Sequence, residues 1–156
     1  MDLKPLPSHY EMCFGCGPKH PTGLHMQMTG ENLHVKGSFE VTEAHQGAPG
    51  LAHGGVVASA VDEGMGFLLW LIEHPAVTAH LEVNYRRPVP VGKRLDLEGQ
   101  VDQMEGRKIW ATMTGWVDGQ VAVEARALFL KVGVEHFREH AKKVGAEVGR
   151  MHTYNP

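Results

Sequence analysis

The chain has 156 residues, 42% of them apolar, which suits one domain with one core and is too little for two. With 15 Lys+Arg against 18 Asp+Glu, no overall positive field exists to hold a nucleic acid. The first residues, Met1 to Pro7, carry a lysine but no long apolar run, which predicts no signal peptide, no membrane span and a cytoplasmic protein. Only Cys13 and Cys16 occur, so stability is expected from packing and not from disulfides.

In chain order, Leu24–Met28 and Leu33–Val41 have strand character, and Thr29-Gly30-Glu31-Asn32 between them has turn chemistry. An early hairpin is predicted. The segment from His45 to Gly55 is too rich in glycine and proline for a regular element and reads as a loop. From Val56 to Ile72 apolar and small residues follow at helical spacing until His74-Pro75 stops them. One long helix is expected there, with a core stripe through Val56, Ala60, Gly64, Phe67 and Leu71. Ala58, Met65 and Leu69 lie roughly opposite, so the helix is apolar all round and needs cover on both sides.

Period-2 alternation then puts Ala79, Leu81, Val83 and Tyr85 on one face of a strand and Thr78, His80, Glu82, Asn84 and Arg86 on the other. Leu95–Val101, Arg107–Trp116 and Gln120–Val132 repeat the pattern, separated by Glu105-Gly106 and Asp118-Gly119. The order predicts an α+β fold in which an antiparallel sheet curls around one long helix, the hot-dog architecture. The whole chain reads as one domain with a core over about residues 20–133. Glu135–Val148 is helix-compatible, and Gly149–Pro156 reads as a tail.

Asp62 is one of few polar side chains between Gly54 and Ile72. A carboxylate among Ala58, Met65 and Leu69 is desolvated, which suits a reactive group with a perturbed pKa; the plainer reading is an acid favoured by the helix dipole. Glu63 is either an alternative reactive acid or a partner for Arg86 or Arg87. His53-Gly54-Gly55 offers backbone N–H groups at the helix entry, where an anion or oxyanion is stabilised, or else is a turn capped by His53. Arg86-Arg87-Pro88 with Lys93-Arg94 is the densest basic stretch, suited to the phosphates of a nucleotide or to guarding a strand edge. Cys13 and Cys16 with His20 and His25 could satisfy tetrahedral zinc, but the spacing is atypical. A packed turn of reduced cysteines without metal is expected, and no cofactor.

These residues resemble the hot-dog acyl-CoA thioesterases of the phenylacetate-pathway type, in the branch of thioesterase superfamily member 4. The resemblance runs from about Cys13 to Val132. It is most specific at His53-Gly54-Gly55, at Asp62 nine residues past the histidine, and at Thr78 sixteen further, opening the stretch that leads to Arg87-Pro88-Val89-Pro90. It implies hydrolysis of acyl-CoA by a homodimer, often paired into a tetramer, with active sites at the subunit boundary. Asp62 would then be general base or nucleophile, and the amides near Gly54 and Gly55 would polarise the thioester carbonyl. Thr78 would help position water, and Gln46 in the preceding loop would lie near that carbonyl. The CoA moiety would meet Arg86, Arg87 and Lys93, and the acyl chain a slot lined by Met65 and Leu69.

Two rivals differ in class. A hot-dog dehydratase resembles a pattern with its helix acid fourteen residues after the loop histidine, where this chain has Ser59; a hydratase pattern fails at Phe67. A binder of acyl-CoA without turnover would keep the fold but has no need of a buried carboxylate beside the thioester.

Overall fold

A computed structural model of the protein describes residues 2–145. Seven antiparallel strands form one sheet: β1 (Lys4–Pro5), β2 (Gln27–Glu31), β3 (His34–Glu40), β4 (Ala76–Tyr85), β5 (Arg94–Glu105), β6 (Lys108–Val117) and β7 (Gln120–Lys131). Their order across the sheet is β1-β2-β3-β5-β6-β7-β4, so β4 stands at one edge. Helix α1 (Gly54–Gly66) continues through Phe67 into the short α2 (Leu68–Ile72), and α1 packs against β3, β4, β5, β6 and β7. The predicted sheet around a central helix is therefore what the chain forms.

The buried side of the helix runs through Val57, Ala60, Val61, Gly64, Met65, Leu68 and Leu69. The expected stripe is thus rotated by about one residue. Val56 and Leu71 are only half-buried, whereas Met65 and Leu69, expected on the far side, are core. An apolar residue stands at nearly every position of this helix, so periodicity alone could not fix its rotation. By length and composition Gly54–Ile72 is apolar enough to cross a membrane, but here its buried side packs on the sheet. The sheet answers it with alternating residues: Leu95 and Leu97, then Ile109, Ala111 and Met113, then Val123, Ala125, Ala127 and Phe129 are all buried.

The hairpin Asp118-Gly119 forms as predicted, both residues having positive φ (50° and 76°). The second tight turn is Gly106-Arg107, one residue later than expected. The first hairpin turns at Asn32-Leu33 and not over Thr29–Asn32, with φ of 50° and 60°. Thr29, Gly30 and Glu31 instead pair with Lys36, Val35 and His34. Gly30 serves the strand because a β-carbon there would lie 2.8 Å from Leu6 Cδ1 and 3.0 Å from the His34 carbonyl. Strand β1, pairing Lys4 with Gly30, was not foreseen and extends the folded unit well before residue 20. Helix α3 spans Val134–Lys143 and ends in a turn at Val144-Gly145, short of the predicted helix; residues 146–148 of that helix and the tail lie outside the described residues.

Candidate active site along the central helix

The loop into α1 is irregular but firmly bonded. Gly47 N–H donates to Leu51 O, Ala52 N–H to Val89 O and His53 N–H to His45 O, at 3.0, 2.8 and 2.8 Å. Gln46 is committed to this loop: its Oε1 accepts from Gly50 N–H at 2.8 Å and its Nε2 donates to Glu43 O at 3.2 Å. The buried His45 is fixed through Nδ1, which accepts from Thr42 N–H at 3.0 Å.

His53 caps α1, its Nδ1 accepting the Gly55 N–H at 2.9 Å. Of the two glycine amides expected to face a ligand, Gly55 is therefore engaged. The exposed Gly54 N–H has no acceptor among the described residues. It points along the positive end of the helix dipole. The Gly54 carbonyl accepts the Tyr85 hydroxyl at 2.7 Å, a contact no sequence pattern announced.

Further along α1, half-buried Asp62 accepts the Thr78 hydroxyl on Oδ1 at 2.8 Å. The pairing depends on a β-bulge between Thr78 and His80. Thr78 stands opposite buried Phe129, as Leu81, Val83 and Tyr85 stand opposite buried Ala127, Ala125 and Val123, so all four face the helix. His80 pairs with Leu128 and Glu82 with Arg126, facing away. Strict alternation had grouped Thr78 with His80 and Glu82; the extra residue reverses its face and brings it to Asp62. Burial raises the Asp62 carboxyl above the usual carboxylate range. The Thr78 hydrogen bond opposes the rise, and the charges of Glu63 and Cys13 add to it.

Glu63 points elsewhere. Its Oε1 lies 2.7 Å from His9 Nδ1, and both carboxylate oxygens lie 3.6 Å from Cys13 Sγ. It pairs with neither Arg86 nor Arg87. Burial alone would raise the Glu63 pKa, but His9 and the two thiols outweigh it and pull the carboxyl down. For His9, burial opposes the proton, yet Cys13 and Glu63 hold its pKa up at about 9. The Cys13 thiol is pulled down to about 5, first by its hydrogen bond with Cys16, whose own thiol is pushed up.

At the start of α1 a pocket of about 240 Å³ is lined by Ala52, Gly54, Val57, Tyr85, Arg86, Arg87, Pro88 and Val89. Two of the expected cations thus meet the free Gly54 amide. Arg86 is shared with Glu124 at 2.9 Å, while Arg87 has no ion-pair partner among the described residues. Lys93 is held by Asp118 at 3.0 Å and does not line this pocket. Met65 and Leu69, expected to line an acyl slot, are closed in the core. A larger cavity, about 710 Å³, lies between residues 21–29 and β3 and includes neither Asp62, Thr78 nor Gly54.

Gly54 and Asp62 are eight residues apart on one helix, about 12 Å along its axis. That is far more than an aspartate side chain spans, so one chain cannot bring both to a single carbonyl group.

A family model described as the thioesterase superfamily matches residues 49–131, more than half of the chain. The acyl-coenzyme A thioesterase THEM4 of Xenopus laevis is 33% identical over 89 residues, 56% of this chain and 40% of that protein. The chain thus spans about two fifths of the length of the curated relatives it matches. Among solved structures, the thioesterase superfamily protein RHA08564 superposes with a TM-score of 0.71 at 31% identity, over 77% of this chain and 60% of that one. The protein smu.793 of Streptococcus mutans UA159, solved bound to acetyl CoA, shares the fold with a TM-score of 0.66 at 23% identity, over 69% of this chain and 89% of its own.

Proposed function

The chain belongs to the thioesterase superfamily, and from that premise we propose that it hydrolyses acyl-CoA thioesters to a free acid and CoA, with Asp62 as the reacting carboxylate. The observation that carries the reading is the half-buried Asp62, bonded to Thr78 at 2.8 Å and raised in pKa by its surroundings. A carboxylate made more basic in this way takes a proton from water as the water oxygen bonds to the thioester carbon. The carbonyl oxygen becomes an oxyanion, to which the Gly54 N–H donates a hydrogen bond at the helix N-terminus. The carbon–sulfur bond then breaks, and the proton on Asp62 passes to the departing CoA thiolate. Direct attack by Asp62, followed by hydrolysis of the anhydride, uses the same groups. Thr78 fixes the carboxylate and positions the water.

The reading includes a homodimer. A Gly54 and an Asp62 can serve one carbonyl if they come from two antiparallel copies of α1, related by a two-fold axis. Strand β4 supports this, since it ends the sheet, presents ten residues on an unpaired edge and leaves Tyr85 53% exposed. The pocket formed by Arg86 and Arg87 beside Gly54 suits the phosphates of CoA, and the relative bound to acetyl CoA has the same fold.

The test is thiol release from a panel of acyl-CoA esters by the wild type and by Asp62→Asn. The expected result is turnover of at least one ester, lost by about a hundredfold or more in the variant. Equal acyl-CoA binding by both proteins, with no release by either, would instead make this a binding protein.

A further inference from the structure

The group around Glu63 takes no part in the hydrolysis proposed above. The ligand atoms of His9, Cys13, Cys16 and Glu63 all lie within 4.8 Å of one another. We propose that these four side chains form a structural zinc site that clamps the N-terminal segment onto α1 beside Asp62.

The donor set is that of a closed, tetrahedral zinc centre: two thiolates, one imidazole and one carboxylate, soft enough to exclude magnesium and calcium. Bonds of about 2.0 to 2.3 Å place tetrahedral ligands roughly 3.3 to 3.8 Å apart. Cys16 Sγ to His9 Nδ1 is 3.4 Å, and Cys13 Sγ to either oxygen of Glu63 is 3.6 Å. His9 Nδ1 to Glu63 Oε1, at 2.7 Å, is shorter and needs to open by about 0.6 Å around a metal. Both cysteines are free, and His9 and Cys16 are buried.

The surroundings are those a metal requires. His9 Nε2 faces the Gly66 carbonyl at 3.2 Å, which leaves Nδ1 as the ligating nitrogen. The His9 backbone N–H donates to Cys16 Sγ at 3.2 Å, a contact that stabilises a thiolate. Cys13-Phe14-Gly15-Cys16-Gly17 curls tightly, Gly17 N–H donating to Cys13 O at 2.8 Å. A β-carbon on Gly15 would meet Glu63 Cγ at 2.3 Å, so the chain has no side chain where the carboxylate enters. His25 Nε2 lies 2.6 Å from the His20 backbone carbonyl and His20 Nδ1 accepts the Thr22 N–H at 3.3 Å, and neither histidine is among the four. Cys13 and Cys16 thus stand together with His9 and Glu63, and not with His20 and His25.

The test uses the full chain purified under reducing conditions with added zinc, passed through gel filtration and assayed for bound metal. About one zinc per chain is expected, retained in His20→Ala and His25→Ala and lost in Cys16→Ala. Because Cys16→Ala could fail to fold, cobalt is also titrated into metal-free wild type. Tetrahedral ligand-field bands with sulfur-to-cobalt charge transfer are expected. Glu63→Gln should hold zinc at least about tenfold more weakly in chelator competition while keeping its circular dichroism. Two titratable thiols with no bound metal, a Cys13–Cys16 disulfide in the reduced preparation, or zinc lost in the His20 or His25 variants would overturn the site. Metal content is read without substrate, so the outcome is independent of the thioesterase reading.

Discussion

Asp62 and Glu63 are neighbours in the sequence, yet they stand on two flanks of α1 built in opposite ways. On the β4 flank, Asp62 has one hydroxyl partner and an unpaired sheet edge beside it, and its carboxyl is raised. On the N-terminal flank, Glu63 is surrounded by His9, Cys13 and Cys16, and its carboxyl is lowered. A rotation of 100° about the helix separates a group kept reactive from a group kept in place. Burial acts on both; the number and charge of the partners decide the sign.

If the contrast is real, the two positions fail differently. Glu63→Ala should be the most damaging, leaving His9 and the thiols without their counter-charge and lowering stability by about 3 kcal/mol in chemical denaturation. Asp62→Asn should lose hydrolysis by a hundredfold or more while unfolding no earlier than the wild type, because it removes a carboxylate that burial disfavours. Glu63→Ala as stable as the wild type, or Asp62→Asn unfolding early, would dissolve the distinction. Thr78→Val keeps the β-branched shape without the hydroxyl and should lower kcat about tenfold, with melting nearly unchanged. The smallest effect is expected at the pocket rim, where Arg87→Ala should raise KM for acyl-CoA roughly fivefold with kcat retained. Arg86→Ala should do less, because Arg86 is already shared with Glu124.

The parts legible in the sequence were those set by local rules. The central helix, the three long strands after it and the Asp118-Gly119 turn follow from spacing and turn chemistry, and Asp62 stood out as an acid in an apolar run. The parts that escaped depend on contacts between distant segments. Gly30 looks like a turn residue until β1 crosses it, and Leu33 is a poor candidate for a left-handed turn position. Glu63 finds His9, 54 positions earlier in a stretch with no periodicity. The Cys13/Cys16 pair signalled a special turn, but proximity in sequence favoured His20 and His25 over the histidine that folds back.

The bulge in β4 acts as a phase shifter. Before it, Thr78 counts its faces on one rhythm; after it, Leu81, Val83 and Tyr85 count on another, and the strand carries both without a break in pairing to β7. Adding one residue to β7 between Leu128 and Phe129, opposite Ala79, would bring β4 back to a single rhythm and turn the Thr78 hydroxyl away from Asp62, with every residue from His80 onward left in register. One inserted residue in this strand therefore tunes what reaches the helix, separately from how the sheet is held together.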